Sequence, residues 1–177
     1  MNNLKSLKMW AYIISLLAAG FMVLFVLGNF VIYSNAQASG EGQGALQFNP
    51  PNPEDAPADI KDNVMMGYNI LMDTPKTASA YVSGNKSCSN CHVKAGLDEN
   101  ALPLVGVAAV FPKYKKRANA TVDLITQTNN CIQGALKGKP LPADSKEMIA
   151  ILTYYQWISK GIPIYENVPW LGKKAGN

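Results

Sequence analysis

Cys88-Ser89-Asn90-Cys91-His92 is the stretch on which the reading of this chain turns. Two cysteines three positions apart, with a histidine directly after the second, form the attachment sequence of a c-type haem. Each member is needed where it stands. Cys88 and Cys91 are expected to form thioethers to the two vinyl groups, and the short tether brings His92 under the iron as proximal ligand. A structural zinc site needs four ligands, usually in spaced pairs. Outside this stretch only Cys131 remains as a thiolate, and adjacent Cys91 and His92 are poorly arranged around one tetrahedral ion. A thioredoxin-type redox pair needs a βαβ context, which is not visible here. With three cysteines in all, two of them committed to haem, no pair is left for a disulfide framework. The expected cofactor is one covalent haem c.

Upstream, Met9 to Tyr33 runs 25 residues without a charge. About 20 apolar residues cross the hydrocarbon core of a bilayer, so the run predicts a transmembrane helix. Trp10, Tyr12 and Tyr33 sit near its ends, where amphipathic rings favour the interface. Lys5 and Lys8 precede it and the next base is Lys61, which orients the N-terminus to the cytoplasm. A cleaved signal peptide is the competing reading, since Ala36-Gln37-Ala38 has the small-residue pattern of a cleavage site. Signal h-regions are shorter, about 7–15 residues, which favours a retained anchor. The chain is expected in the cytoplasmic membrane of a bacterium, single-pass, with its haem domain in the periplasm.

Three segments follow from this: residues 1–33 as anchor, 34–59 as linker and 60–177 as haem domain. Ser34 to Asp59 holds Gly40, Gly42, Gly44, Pro50, Pro51, Pro53 and Pro57 and few large apolar residues, as a spacer would. The alternative is an ordered arm in which Phe48 and the prolines lie over the domain. From Ile60 onward 14 Lys/Arg stand against 8 Asp/Glu, a net +6. A mildly basic domain suits acidic protein partners or small anions. No dense basic stripe interleaved with aromatics is present, so no nucleic-acid partner is expected.

Three main helices are predicted. Asp59 to Asp62 opens the first, which runs to about Met72 with Val64, Met65, Tyr68, Leu71 and Met72 on its apolar side. Gly67 within it allows the close approach of another backbone, as where first and last helices cross in small c-type cytochromes. Thr121 is the expected cap of the second, through about Lys137, with Leu124, Thr128, Cys131 and Ala135 on one face. The third begins with Asp144 as cap and Glu147 in a capping box, and ends at Lys160. Met148, Ile151, Leu152, Tyr155 and Ile158 form its stripe. Between them, Val107 to Val110 suits a haem face, and Lys113, Lys115, Lys116 and Arg117 make a short basic run.

The sixth iron ligand is open at this level. His92 is the one histidine of the chain, so bis-histidine ligation within it is excluded. Met148, Cys131, another methionine, a lysine or an open position remain. Methionine is usual in electron-transfer cytochromes c and raises the potential, yet both Met148 and Cys131 lie on apolar helix faces where core filling is the ordinary role.

A resemblance adds information. Tyr81-Val82-Ser83-Gly84-Asn85, the haem sequence, Gly96, Phe111-Pro112-Lys113-Tyr114, Cys131, Gly138-Lys139-Pro140-Leu141, Ser145 to Met148 and Tyr155 to Ser159 follow in order. From about Phe48 to Pro163 this succession resembles the catalytic-haem domain of the tetrathionate-forming thiosulfate dehydrogenases, relatives of the sulfur-oxidation cytochrome A subunits. The resemblance implies a class I-like cytochrome c fold and a histidine/cysteine-ligated haem. Cys131 stands where that family carries its distal cysteine and so becomes the favoured sixth ligand, with Met148 the alternative. Two departures stand out. The arginine expected shortly before the cysteine is absent from Leu124 to Asn130, and the arginine and serine expected after it are absent from Gly134 to Lys137. In the family those side chains hold the anionic substrate. Lys115, Lys116, Arg117 and Lys137 are the bases near enough in sequence to replace them. The family's second haem domain has no counterpart attachment sequence here.

The expectation is an all-α protein, a small cytochrome c-like haem domain on one N-terminal transmembrane helix. As function, single-electron carriage between redox partners, another cytochrome or a respiratory complex, stands first. A thiosulfate (sulfur-anion) dehydrogenase-like oxidoreductase is the alternative.

Overall fold

The computed structural model describes residues 46–165 and 167–172. Its frame is two helices, α1 (Ala58–Met72) and the last helix, here numbered α5 (Lys146–Ile158), which cross in close contact. The crossing is set at Gly67, which is buried in α1. A Cβ there would meet the Ala150 carbonyl and stand 2.7 Å from the Tyr154 Cβ, so only hydrogen fits. Val64, Ile70 and Leu71 from α1 pack with Met148, Ile151, Tyr154 and Ile158 from α5 in the core. Removing such side chains from water, at about 25 cal/mol per Å² of apolar area, is what holds a frame of two helices together.

Between them come short elements: α2 (Thr74–Thr77), α3 (Val107–Val110), a hairpin of β1 (Lys113–Lys115) and β2 (Ala120–Val122), and α4 (Leu124–Gly134). In the antiparallel hairpin Lys113 faces Val122 and Lys115 faces Ala120. The fold is mostly helical with only these two strands among the described residues, as expected, but two caps differ. Thr121 is taken up by β2, and Asp123 caps α4 instead, its Oδ1 accepting from Thr126 N at 2.6 Å. Ser145, not Asp144, caps α5, its Oγ accepting from Met148 N at 3.2 Å. Each true cap lies within two residues of the expected one, on the residue whose oxygen reaches the N3 amide.

Of the two readings of 34–59, the portion from Leu46 onward follows the ordered arm. Phe48 meets Trp170 edge-on at 5.3 Å between ring centroids, and Trp157 Nε1 donates to Asn52 O at 3.0 Å. Pro53 and Ala56 are buried. The tail returns as well: Trp170 is 2% exposed and donates from Nε1 to Val105 O at 2.8 Å. The expected span Met9 to Tyr33 lies outside the described residues. Among the described residues no helix is long and apolar enough to cross a membrane.

Candidate functional site

A cavity of about 520 Å³ opens between α1, α4 and the segments that join them. Ile70, Leu71, Val82, Leu104, Val107, Val110, Ile132, Leu136, Leu141 and Ile151 form an apolar wall. Polar groups reach it from separate elements, among them Cys88, Cys91 and His92 from the attachment stretch, Thr74 and Ser87 beside it, Gln127, Thr128 and Cys131 from α4, Lys113 and Lys115 from β1, and Tyr155 from α5. An apolar cleft of this size with a handful of convergent polar groups is the usual form of a cofactor site.

The attachment stretch is held by a dense local network. Thr74 is 2% exposed. Its hydroxyl donates to Ile70 O at 2.8 Å, accepts from Cys88 N at 3.1 Å and lies 3.4 Å from Cys88 Sγ. Ser87 Oγ accepts from Thr74 N at 3.2 Å, and Asn90 Oδ1 accepts from Ser87 N at 2.6 Å. Burial pushes the Cys88 thiol up, with the Thr74 hydrogen bond opposing it. Cys91 is exposed at the rim.

His92 is followed by three residues in the left-handed region, Lys94 (φ 54), Ala95 (φ 57) and Gly96 (φ 86). For residues with a Cβ this conformation costs about 1–2 kcal/mol each, so it persists only where neighbours impose it. They do. Ser89 Oγ accepts from Ala95 N at 3.1 Å, Tyr154 OH donates to Ala95 O at 3.0 Å, and Leu104 N donates to Gly96 O at 2.9 Å. A Cβ on Gly96 would stand 2.6 Å from Leu104 Cγ. The turn brings His92 Nδ1 to 2.6 Å from Leu102 O. A carbonyl can only accept, so Nδ1 is the donor in this contact, which leaves Nε2 as the lone-pair nitrogen of the neutral ring. A ring nitrogen freed in this way is the standard arrangement of an imidazole that ligates a metal.

α4 supplies the remaining groups. Leu124, Thr128, Cys131 and Ala135 line the cavity, as their spacing on one face predicts, and Gln127 and Ile132 line it beside them. Cys131 is exposed toward it, and Gln127 Nε2 donates to its Sγ at 3.5 Å. Met148, by contrast, is fully buried in the core and does not line the cavity. Of the bases near Cys131 in sequence, Lys115 lines the cavity, with its Nζ 5.1 Å from the Phe111 ring centroid, while Lys116, Arg117 and Lys137 do not. Tyr155 is pushed well above its ordinary value by burial, then by the nearby Cys88 and Cys131, so it stands as a neutral phenol between the two walls.

Thr74 and Gln127 escaped the sequence reading. Nothing in the sequence marks Thr74, whose partners Ser87 and Cys88 lie 13 and 14 residues away. Gln127 carries a usable signal, since it precedes Cys131 by one helical turn of four residues.

The donor set fits a haem c. A pair of thiols and an imidazole with a free Nε2 meet an apolar cleft, and a third thiol enters from another helix. Among the described residues no group of three or more His, Cys, Asp or Glu gathers that could hold a metal ion. Fold and cavity together define a cytochrome c-like domain. Residues 78–164 match the family model described as SoxA/TsdA, cytochrome c domain. The chain is 34% identical over 134 residues to a thiosulfate dehydrogenase of Stutzerimonas stutzeri, covering 75% of this chain and 44% of that protein. A thiosulfate dehydrogenase of Thiomonas intermedia is 35% identical over 133 residues, 74% of this chain and 42% of that one. The chain thus spans less than half the length of these curated relatives. In fold it is similar to the thiosulfate dehydrogenase (TsdBA) of Marichromatium purpuratum, with a TM-score of 0.64 at 18% identity over 70% of this chain and 28% of that one. It resembles the catalytic-haem domain of the thiosulfate dehydrogenases.

Proposed function

We propose that this chain is a haem c oxidoreductase domain acting on a sulfur anion of the thiosulfate class and passing the electrons to a separate redox protein. The observation that carries the reading is the composition of one cavity: Cys131, Gln127, Lys113 and Lys115 line the same space as Cys88, Cys91 and His92. Cys88 and Cys91 would hold the haem through thioethers, His92 through Nε2, and Cys131 through its sulfur. When bound, haem c supplies a one-electron redox centre with a thiolate-lowered potential.

The chain's own residues supply the rest. The apolar wall and neutral Tyr155 exclude water, which strengthens every charge interaction inside. Lys113 and Lys115 offer positive charge to an anion at the mouth, and Gln127 offers an N–H. Two thiosulfate anions joined by one new S–S bond release two electrons and no proton. The site therefore needs no general base, consistent with a cavity that has no carboxylate among its described lining residues. In the same reading, Met9–Tyr33 tethers the domain to the periplasmic side of the cytoplasmic membrane, supported by the uncharged run with Lys5 and Lys8 ahead of it. The electron acceptor would be another cytochrome or a respiratory complex.

Pure electron carriage is the second reading. It is favoured by the arginine and serine missing on either side of Cys131. A steady-state assay with thiosulfate and an artificial electron acceptor separates the two. Turnover that disappears in Cys131→Ala is expected; no turnover with thiosulfate or related sulfur anions would leave carriage as the function.

A further inference from the structure

We infer that Gln127 is a positioning residue for Cys131, donating a hydrogen bond to its sulfur and thereby setting how strongly that sulfur can donate to a bound haem. The inference rests on the assignment of Cys131 as an axial ligand made above. It goes beyond that assignment by naming the group that tunes it.

Gln127 and Cys131 are one turn apart on α4, where positions i and i+4 face each other. The amide nitrogen lies 3.5 Å from Sγ, within the longer range that sulfur allows, and both side chains line the cavity. Two neighbouring donors on the same helix are committed elsewhere. The Thr128 hydroxyl donates to Leu124 O at 2.8 Å, and the Asn129 amide is spent on Leu141, donating to its O at 2.9 Å and accepting from its N at 2.8 Å. Gln127 is also half-buried, so its amide is less exposed to competition from water than a surface one.

A donor placed on a ligand sulfur draws electron density away from the metal. Hydrogen bonds to ligating sulfur are one of the protein's levers on reduction potential, alongside ligand identity and burial. The donor here opposes the density that a thiolate pushes onto iron. It also restrains the rotamer of an exposed cysteine that has no other polar partner among the described residues.

The experiment uses the full chain loaded with haem, in four variants beside the parent. Gln127→Leu removes the donor at similar size, and Gln127→Glu keeps the shape while its carboxylate cannot donate. Gln133→Leu, on the exposed side of the same helix, is the control, and Cys131→Ala tests the ligand itself. Redox titration followed by absorbance is the main readout, with EPR of the oxidised protein for ligation. Both Gln127 variants are expected to keep thiolate-type EPR and to have lower potentials. At fixed ambient potential their ferric-to-ferrous ratio rises by up to about tenfold, which for one electron corresponds to about 59 mV. Gln133→Leu stays at the parental value. The inference is overturned if both Gln127 variants titrate with the parent, or if Gln133→Leu shifts as far as they do. If Cys131→Ala leaves the EPR of the parent unaltered, the ligand assignment itself fails and the inference with it.

Discussion

The two walls that carry sulfur into the cavity are built differently. Cys88 and His92 sit in a segment tied down at nearly every polar atom, by Thr74, Ser87, Asn90 and Ser89 on one side and by Leu102 and Tyr154 on the other. Cys131 is exposed on its helix and has a single 3.5 Å amide contact. The first wall is made for permanence, its strained left-handed turn imposed by buried partners. The second is held loosely, by one weak hydrogen bond to the sulfur, and under the proposed function that looseness would let the wall give way to exchange. A carrier needs only the first kind of wall. A redox enzyme that admits a substrate next to its cofactor benefits from both.

The largest effect belongs to the fixed wall. Replacing Cys88 and Cys91 together by alanine is expected to abolish covalent haem, read as loss of haem absorbance in a denaturing gel, whereas Cys131→Ala leaves attachment intact. Equal loss in both would erase the distinction between the walls. Next comes the frame beneath the fixed wall. Gly67→Ala forces a methyl against Ala150 O and the Tyr154 Cβ, and overpacking of this kind costs about 1–3 kcal/mol or more. Gly134→Ala, on the helix of the exchangeable wall, meets nothing within 4 Å and is expected to stabilise by about 0.5–1 kcal/mol through helix propensity. Denaturant midpoints of the two variants should therefore move in opposite directions.

Much of this contrast was legible in the sequence, and the part that was not has a physical reason. The attachment stretch is contiguous, so its chemistry can be read without a fold. The cavity face of α4 follows from the period of its side chains, and Gly67 marks the helix crossing because no other residue fits one. Periodicity could not separate Cys131 from Met148, since a stripe shows that a face is covered but not whether by core or by cofactor. The Met148 side chain lies in the core and does not line the cavity. Thr121 does not cap α4 because Thr121 and Val122, both β-branched, pair with Tyr114 and Lys113 in a hairpin, and such pairing depends on a partner strand rather than on local sequence. Thr74 was invisible for the same reason: its value lies in reaching Cys88 across the fold.

Thr74→Val tests that reach more finely. It keeps the shape, removes the hydroxyl, and leaves Cys88 N–H without its acceptor in a part-buried place, a loss of about 1–3 kcal/mol. Gln127→Leu, which removes one 3.5 Å contact at the cavity, should cost well under that in the same denaturant titration. A comparable cost for both would mean that the second wall is as firmly built as the first.

The one effect that depends on pH lies at the start of the exchangeable wall, where Asp123 caps α4. The Thr126 backbone amide that donates to its carboxylate holds the group below the ordinary carboxylate range. A carboxyl depressed in the folded state contributes stability that is present above its unfolded value and is lost as pH falls through the folded value. Asp123→Ala is therefore expected to cost about 1 kcal/mol near neutral pH. The difference from the parent should shrink as acid protonates the carboxylate, whereas the Gly67→Ala deficit, which involves no titrating group, should persist to the same pH. Measuring both variants across that range separates a helix held by one charged cap from a crossing held by shape. A pH-independent Asp123→Ala deficit would mean that the cap acts through packing and that α4 is less easily loosened than its exposed cysteine suggests.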